Sequence, residues 1–586
     1  MSTISCCAQL NISPSAIADH YIFVNNQVLY VQNEIHLEKN RNPSTEASIY
    51  LRNEAQLLQG EKEQNINKGN GLISLFQEGT SNAYDYNYWS LPVQNPGTSK
   101  NLNEIIFEPQ DLTKSNKANL TAELDGTAEP LTISKRWIYS FSGDDYNDWK
   151  NIGDQFVLKP GEGFTMKGTN GVNRTVIYGV ENNPGSEQRY DFRGIPNDGA
   201  YSIKILENQS LLVGNPYPSS LHLKNFLLNN PATTGIAYFW DSKENGKSHY
   251  LKDYEGGYGA YSPGANSYVP AIFKKYRGNG EIVNVTGENG AIIPREFIPV
   301  AQGFMLVGSE DGFVGFRNTY RIFKTEKSGI SQFKAAYKNN NDEVIPNLRL
   351  NVEINNLYLR PLLLAFREDA TTGKDWAMDA MVMNGIASDA GWLIDEDHYI
   401  INVRPYVPEE KIPLIVNMAS EGEIIFSLQS LIALNPEKVV IYDAERNTYH
   451  NIKEENQRIV LSKGKFSERF FLIIEMPAIQ EKEDPATPTE EIPAIPETSI
   501  FISPEEVQVL QNNKENVLQL KIPAKLQAQH INLFDIKGSK ILSQTIPESE
   551  KAPTISTEGL SEGVYILNIL SKGQKKISKK ITIKKG

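Results

Sequence analysis

A chain of 586 residues exceeds what one hydrophobic core usually supports, and its 27 Tyr, 23 Phe, 42 Gly and 31 Pro describe packed strands joined by turns. The net charge of -13 excludes a protein that tracks nucleic-acid phosphates, because that needs clustered Lys and Arg. Cys6 and Cys7, the only cysteines, are adjacent, so no disulfide framework or thiolate zinc site can be built, and no apolar run approaches the roughly 18 residues of a bilayer span.

In chain order, residues 1–8 (MSTISCCA) read as the small-residue end of a signal peptide whose charged and apolar parts are missing, which is the expectation of a truncated N-terminus. Residues 9–93 hold short β-rich pieces, YIFVNNQVLYVQNEIHLE, ASIYLRNEAQLL and GLISLFQEG, separated by Asn, Gly and Lys. They predict sheet or solenoid rungs. The aromatic run from Tyr84 to Val93 is expected to close this unit as a packed strand, with a sugar-stacking platform as the alternative.

Residues 94–325 carry an internal echo. Gly161-Glu162-Gly163-Phe164 with Gly168, and later Phe192-Arg193-Gly194, return as Ala301-Gln302-Gly303-Phe304 with Gly308, then Phe316-Arg317-Asn318. A pair of related β units is the simplest explanation, with the glycines in turns and the Phe side chains in a core. Between them, Leu212 to Ser220 (LVGNPYPSS) predicts an extended turn, with Ser219 or Ser220 capping a short helix through Leu228. Residues 326–476 read as a β-sandwich built from LRLNVEI, RPLLLAF, HYIINVRP, IPLIVNM, EKVVIYD and RFFLIIE. Residues 477–499, acidic and Pro-rich, predict an extended tether, and 500–586 a small antiparallel sandwich. The fold class is therefore all-β: several sandwich or solenoid-like domains in series, ending in an Ig-like β-sandwich.

Chemistry is sparse. The seven histidines are scattered without metal-ligand spacing, and no nucleophile elbow, Walker loop or dinucleotide fingerprint occurs. The glycine-rich piece Tyr254 to Gly259 reads as a loop. Asp144-Asp145 or Asp395 with Asp397 would serve a glycosidase only if placed across a cleft from one another. Asp369, Asp375 and Asp379 are the residues for a calcium loop, against the alternative of a solvated acidic loop; no other cofactor is expected.

The tail is more specific. Leu533-Phe534-Asp535-Ile536-Lys537-Gly538, then Leu560-Ser561-Glu562-Gly563-Val564-Tyr565-Ile566, then Lys579-Lys580-Ile581 resemble the type A C-terminal sorting domain of type IX secretion cargo in Bacteroidetes. The resemblance implies Asp535, Gly538, Leu560, Gly563, Val564, Tyr565, Lys579 and Lys580 as the sorting signal. It also implies passage through the periplasm to the cell surface or medium, with the translocon, an outer-membrane β-barrel shuttle and a cell-surface sortase as partners. The body resembles large β-rich flavobacterial surface proteins, such as those of gliding or biofilm-forming cells. The expectation is a non-enzymatic structural or adhesion-type protein, with a carbohydrate-binding surface protein or a secreted hydrolase as alternatives.

Overall fold

The computed structural model describes residues 9–183, 187–243, 247–326, 344–383 and 385–477, and in the tail 508–512, 516–522, 528–535, 540–546, 553–558, 560, 563–571 and 576–583. The expected leader remnant, nearly all of the tether and Gly538 lie outside them. The chain divides into two compact units, Met1–Ile479 and Gln480–Gly586. Nearly every element is a strand, as the composition predicts; among the described residues the one α-helix is Leu223–Leu228.

The body begins as stacked rungs. Strands Ile22–Asn25, Ile49–Arg52 and Ile73–Glu78 pair in parallel with Ile22, Ile49 and Ile73 in register, and Val28–Val31 pairs in parallel with Gln56–Gln59 on a second face. The corners between faces are made by Asn26, Asn53 and Glu54 at positive φ, a region Asn enters at low cost. Ile49, Ile73 and Leu57 are fully buried inside the stack.

The echo in the sequence corresponds to two antiparallel ribbons. Tyr86–Trp89 pairs with Phe164–Lys167, and Ser210–Gly214 pairs with Gly303–Val307. The repeated motifs also cross over: Glu162 bridges Val213, and Gln302 bridges Trp89. At that crossing a Cβ on Gly163 would lie 2.7 Å from Leu212 Cγ, and one on Gly303 would lie 2.8 Å from the Tyr88 carbonyl carbon. The glycine just before Phe in each motif therefore permits backbone approach rather than a turn. The turn belongs two residues earlier, where Gly161 and Ala301 both have positive φ. Phe164 and Phe304 are fully buried in two different cores, as expected of the motif.

Two local expectations are corrected. The helix Leu223–Leu228 is capped by His222, whose ring accepts from the Asn225 N–H, because Ser219 and Ser220 are otherwise engaged. Ser219 Oγ accepts from Arg321, and Ser220 Oγ donates to the Lys324 carbonyl. The glycine-rich piece is not a loop: Glu255–Ser262 is a strand in a nine-stranded sheet. Its glycines make room for rings, since a Cβ on Gly256 would meet Trp240 at 2.5 Å and one on Gly259 would meet the Tyr268 hydroxyl at 2.0 Å.

Residues 347–475 form an eleven-stranded sheet. In Asn347–Ile354, Leu348, Leu350, Val352 and Ile354 alternate into the core at zero exposure. The sheet curls so that Phe426 and Phe470, on strands distant in its order, meet with centroids 5.5 Å apart. Buried residues of this sheet form one continuous core with Leu212, Tyr238 and Met305, so packing runs across position 326.

The described strands of the second unit form a three-stranded and a four-stranded sheet around a core that includes Leu520, Ile531, Leu567 and Ile583. Lys576–Ile583 is one edge strand of the four-stranded sheet, paired to Gly563–Ser571, and Lys540–Thr545 is the other.

Candidate functional site: an aromatic cavity

The Tyr86–Trp89 and Phe164–Lys167 ribbon has two faces because side chains alternate along each strand. Trp89, Phe164 and Met166 point into the core on the rung side, where Trp89 meets Tyr190 and Phe192 at 5.6 and 5.8 Å. Tyr86, Tyr88 and Thr165 line a cavity of about 640 Å³ on the other face. The aromatic run is thus a packed strand through Trp89 and a cavity wall through its tyrosines.

The other walls come from remote segments. Trp240 and Tyr258 are cross-strand partners in an edge-to-face contact at 5.3 Å, and Tyr258 Oη lies 2.6 Å from Tyr88 Oη. Phe141 and Trp149 pair across a hairpin at 4.6 Å, and Met383 arrives from the eleven-stranded part of the body. Burial raises the Tyr88 and Tyr258 hydroxyls, so both stay neutral and able to share that hydrogen bond.

Beneath the wall lies one cation. Lys167, 4% exposed, sits 3.7 Å from the Trp137 ring centroid and 4.8 Å from that of Tyr86. His249 stacks on Trp137 at 5.0 Å and joins Lys167 Nζ (3.0 Å) to Asp125 (2.6 Å). The imidazole Nε2–H donates to the carboxylate, which leaves Nδ1 to accept from the ammonium. Burial pushes Lys167 down to about 7, with Asp85 and Asp125 opposing that shift.

The rim is a turn. Asp145 accepts from the backbone and side-chain nitrogens of Asn147, both at 2.8 Å, and Asp148 accepts from the backbone of Asp144 and Asp145. Tyr146, 43% exposed, packs over Gly280, where a Cβ would lie 2.4 Å from its ring. Asp144 and Asp145 line the cavity side by side, while Asp395 occupies a hairpin turn at φ 49° away from it.

The aspartates considered for calcium do not converge. Asp369 is held by a two-pronged pair with Arg367, both bonds 2.7 Å. Asp375 accepts from Thr371, and Asp379 accepts from the backbone of Asp375 and Val403. Burial raises Asp379 to about 7. Among the described residues no group of three His, Cys, Asp or Glu is placed to hold a metal ion.

Of the sorting residues, Asp535 pairs with Tyr565 between neighbouring strands, and Tyr565 pairs in turn with Ile581. Gly563 and Val564 open the strand next to the edge, Leu560 packs against the core, and Lys579 and Lys580 stand on the edge strand itself. This places most of the motif on three neighbouring strands of one sheet.

An all-β body with an aromatic cavity, followed by a separate sandwich with a lysine-bearing edge strand, defines a modular β protein. Residues 6–474 match the domain of unknown function DUF8693, and the chain belongs to that family. Residues 512–584 match the secretion system C-terminal sorting domain. The tail is therefore the sorting domain of a type IX secretion cargo, and the protein is exported to the cell surface or secreted. Among the described residues no helix is long and apolar enough to cross a membrane.

No curated protein matches the chain. Among solved structures, a DUF3244 family protein with an immunoglobulin-like β-sandwich from Bacteroides vulgatus is 22% identical over 14% of this chain and 85% of its own, with a TM-score of 0.12. The BSP domain of a biofilm associated protein is 9% identical over 88% of this chain and 96% of its own, also with a TM-score of 0.12. At these scores neither likeness bears on function.

Proposed function

We propose that the protein is a non-enzymatic, adhesion-type protein of the cell surface or medium. The sorting domain at residues 512–584 carries this reading, because it places a large β-rich body outside the cell. The arrangement of the rim supports a binding rather than a hydrolytic role: Asp144 and Asp145 lie on the same turn, and Asp145 is engaged in capping it. A glycosidase acid and base stand on opposite sides of the scissile bond. In the export step the tail engages the secretion machinery, with a β-barrel shuttle of the outer membrane as the partner for the Lys576–Ile583 edge, which offers its backbone for strand addition. A sortase then acts at the tether.

The test is attachment of beads coated with the purified full chain to cells and to their extracellular matrix, against beads coated with the heat-unfolded chain. Attachment by the folded chain alone is expected. Absence of attachment, together with release of fragments from a panel of polysaccharides or proteins, would favour the secreted hydrolase instead.

A further inference from the structure

The cavity of about 640 Å³ falls within the size range of small-molecule sites, about 300–1,000 Å³. Ring surfaces dominate its walls, with Tyr86, Tyr88, Trp149, Trp240 and Tyr258 contributed by several segments of the body. Polar groups interrupt those rings: Thr165, Ser210, Asp144 and Asn147 also line it. Side chains with hydrogen-bonding groups therefore alternate with ring faces around the wall, which favours a ligand that carries both hydroxyls and C–H faces over a purely apolar one.

Charge narrows the choice further. Lys167 Nζ already covers the Trp137 and Tyr86 ring faces, so a ligand cation would have to compete for the same ring quadrupoles. An anion would meet Asp144 and Asp145 at the rim. The chemistry that remains is neutral, with flat C–H faces for the rings and hydroxyls for the polar groups.

We infer that this cavity binds a neutral glycan, whose pyranose faces rest on the Tyr and Trp rings and whose hydroxyls meet the polar side chains between them. The inference rests on the adhesion reading and supplies its ligand class.

Titration of the full chain with cello-, xylo-, manno- and chito-oligosaccharides tests it, read by tryptophan fluorescence, since Trp137, Trp149 and Trp240 line the cavity. Choline and a hyaluronan oligosaccharide are the cationic and anionic probes. At least one neutral probe should bind. Trp240→Leu, which keeps an apolar side chain and removes a ring face of the wall, should weaken it about 10-fold. Tyr146→Ala, at an exposed rim position, should weaken it without lowering the melting temperature. The inference is overturned if no neutral probe binds, if choline or hyaluronan binds in their place, or if both variants bind as the native chain does. Bead attachment separates the two claims. Attachment that persists without glycan binding leaves the adhesion reading standing and removes the cavity's role; glycan binding without attachment does the reverse.

Discussion

Replacing Lys167 by methionine isolates the ionic part of the wall beneath the cavity, because methionine keeps an unbranched stem and discards the ammonium. Burial holds the Lys167 ammonium at about 7 in the folded chain, against about 10.4 for an unperturbed lysine. Between those values the unfolded chain binds more protons than the folded one, so stability rises with pH across that window and is flat below it. One proton of difference is worth about 1.4 kcal/mol per pH unit, which gives on the order of 2 kcal/mol for this site between about pH 7 and pH 9. Lys274, 3% exposed and also brought to about 7 by burial, adds a contribution of the same sign. Asp379 titrates below this window, and the buried tyrosines such as Tyr258 act above it. Urea unfolding at successive pH values across the window should show the native chain gaining stability. Lys167→Met should lose about half of that gain, and the double variant with Lys274→Met should be nearly flat. An undiminished slope in Lys167→Met would refute the claim that this ammonium is desolvated.

Gly303→Ala should destabilise the body by about 1–3 kcal/mol, because its Cβ would press on the Tyr88 and Trp89 backbone where the two echoed motifs cross; chemical denaturation measures it. Arg360→Met should cost about 3–5 kcal/mol in the same assay. The change strands Asp389, which Arg360 grips through two 2.7 Å bonds in a buried site. In the tail, Gly563→Val should impair surface delivery of a fused reporter more than Lys572→Ala. Gly563 has φ 157°, which a β-branched residue tolerates poorly, whereas Lys572 is one of seven lysines between 572 and 585.

Features built from contiguous residues were legible in the sequence. The rungs could be read because Ile22, Ile49 and Ile73 head similar strand pieces, and the eleven-stranded sheet because Leu348, Leu350, Val352 and Ile354 keep a period of two. The sorting tail was legible as three ordered motifs. The cavity was not, because its rings come from positions as far apart as Tyr86, Trp149, Trp240 and Met383, which only the tertiary assembly brings together. One local clue existed: in Tyr86-Asn87-Tyr88-Trp89 aromatic residues occupy both faces of a strand, so both faces must be covered. Glycines misled the reading at Gly256 and Gly259, where they accommodate the rings of Trp240 and Tyr268 inside a strand. The acidic run at Asp369, Asp375 and Asp379 left a calcium loop and a solvated acidic loop both open in the sequence, because the hydrogen-bond partners of those carboxylates, including Val403 and Arg367, are set by the fold.

Residues 500–586 act as an address, and the body is what that address delivers. Cell fractionation in a strain with a working type IX system tests this most directly, comparing the full chain with a chain ended before residue 500. The full chain should reach the surface or medium, while the shortened chain should fold but stay in the periplasm, since the two units are separately compact. Undiminished surface delivery of the shortened chain would contradict it.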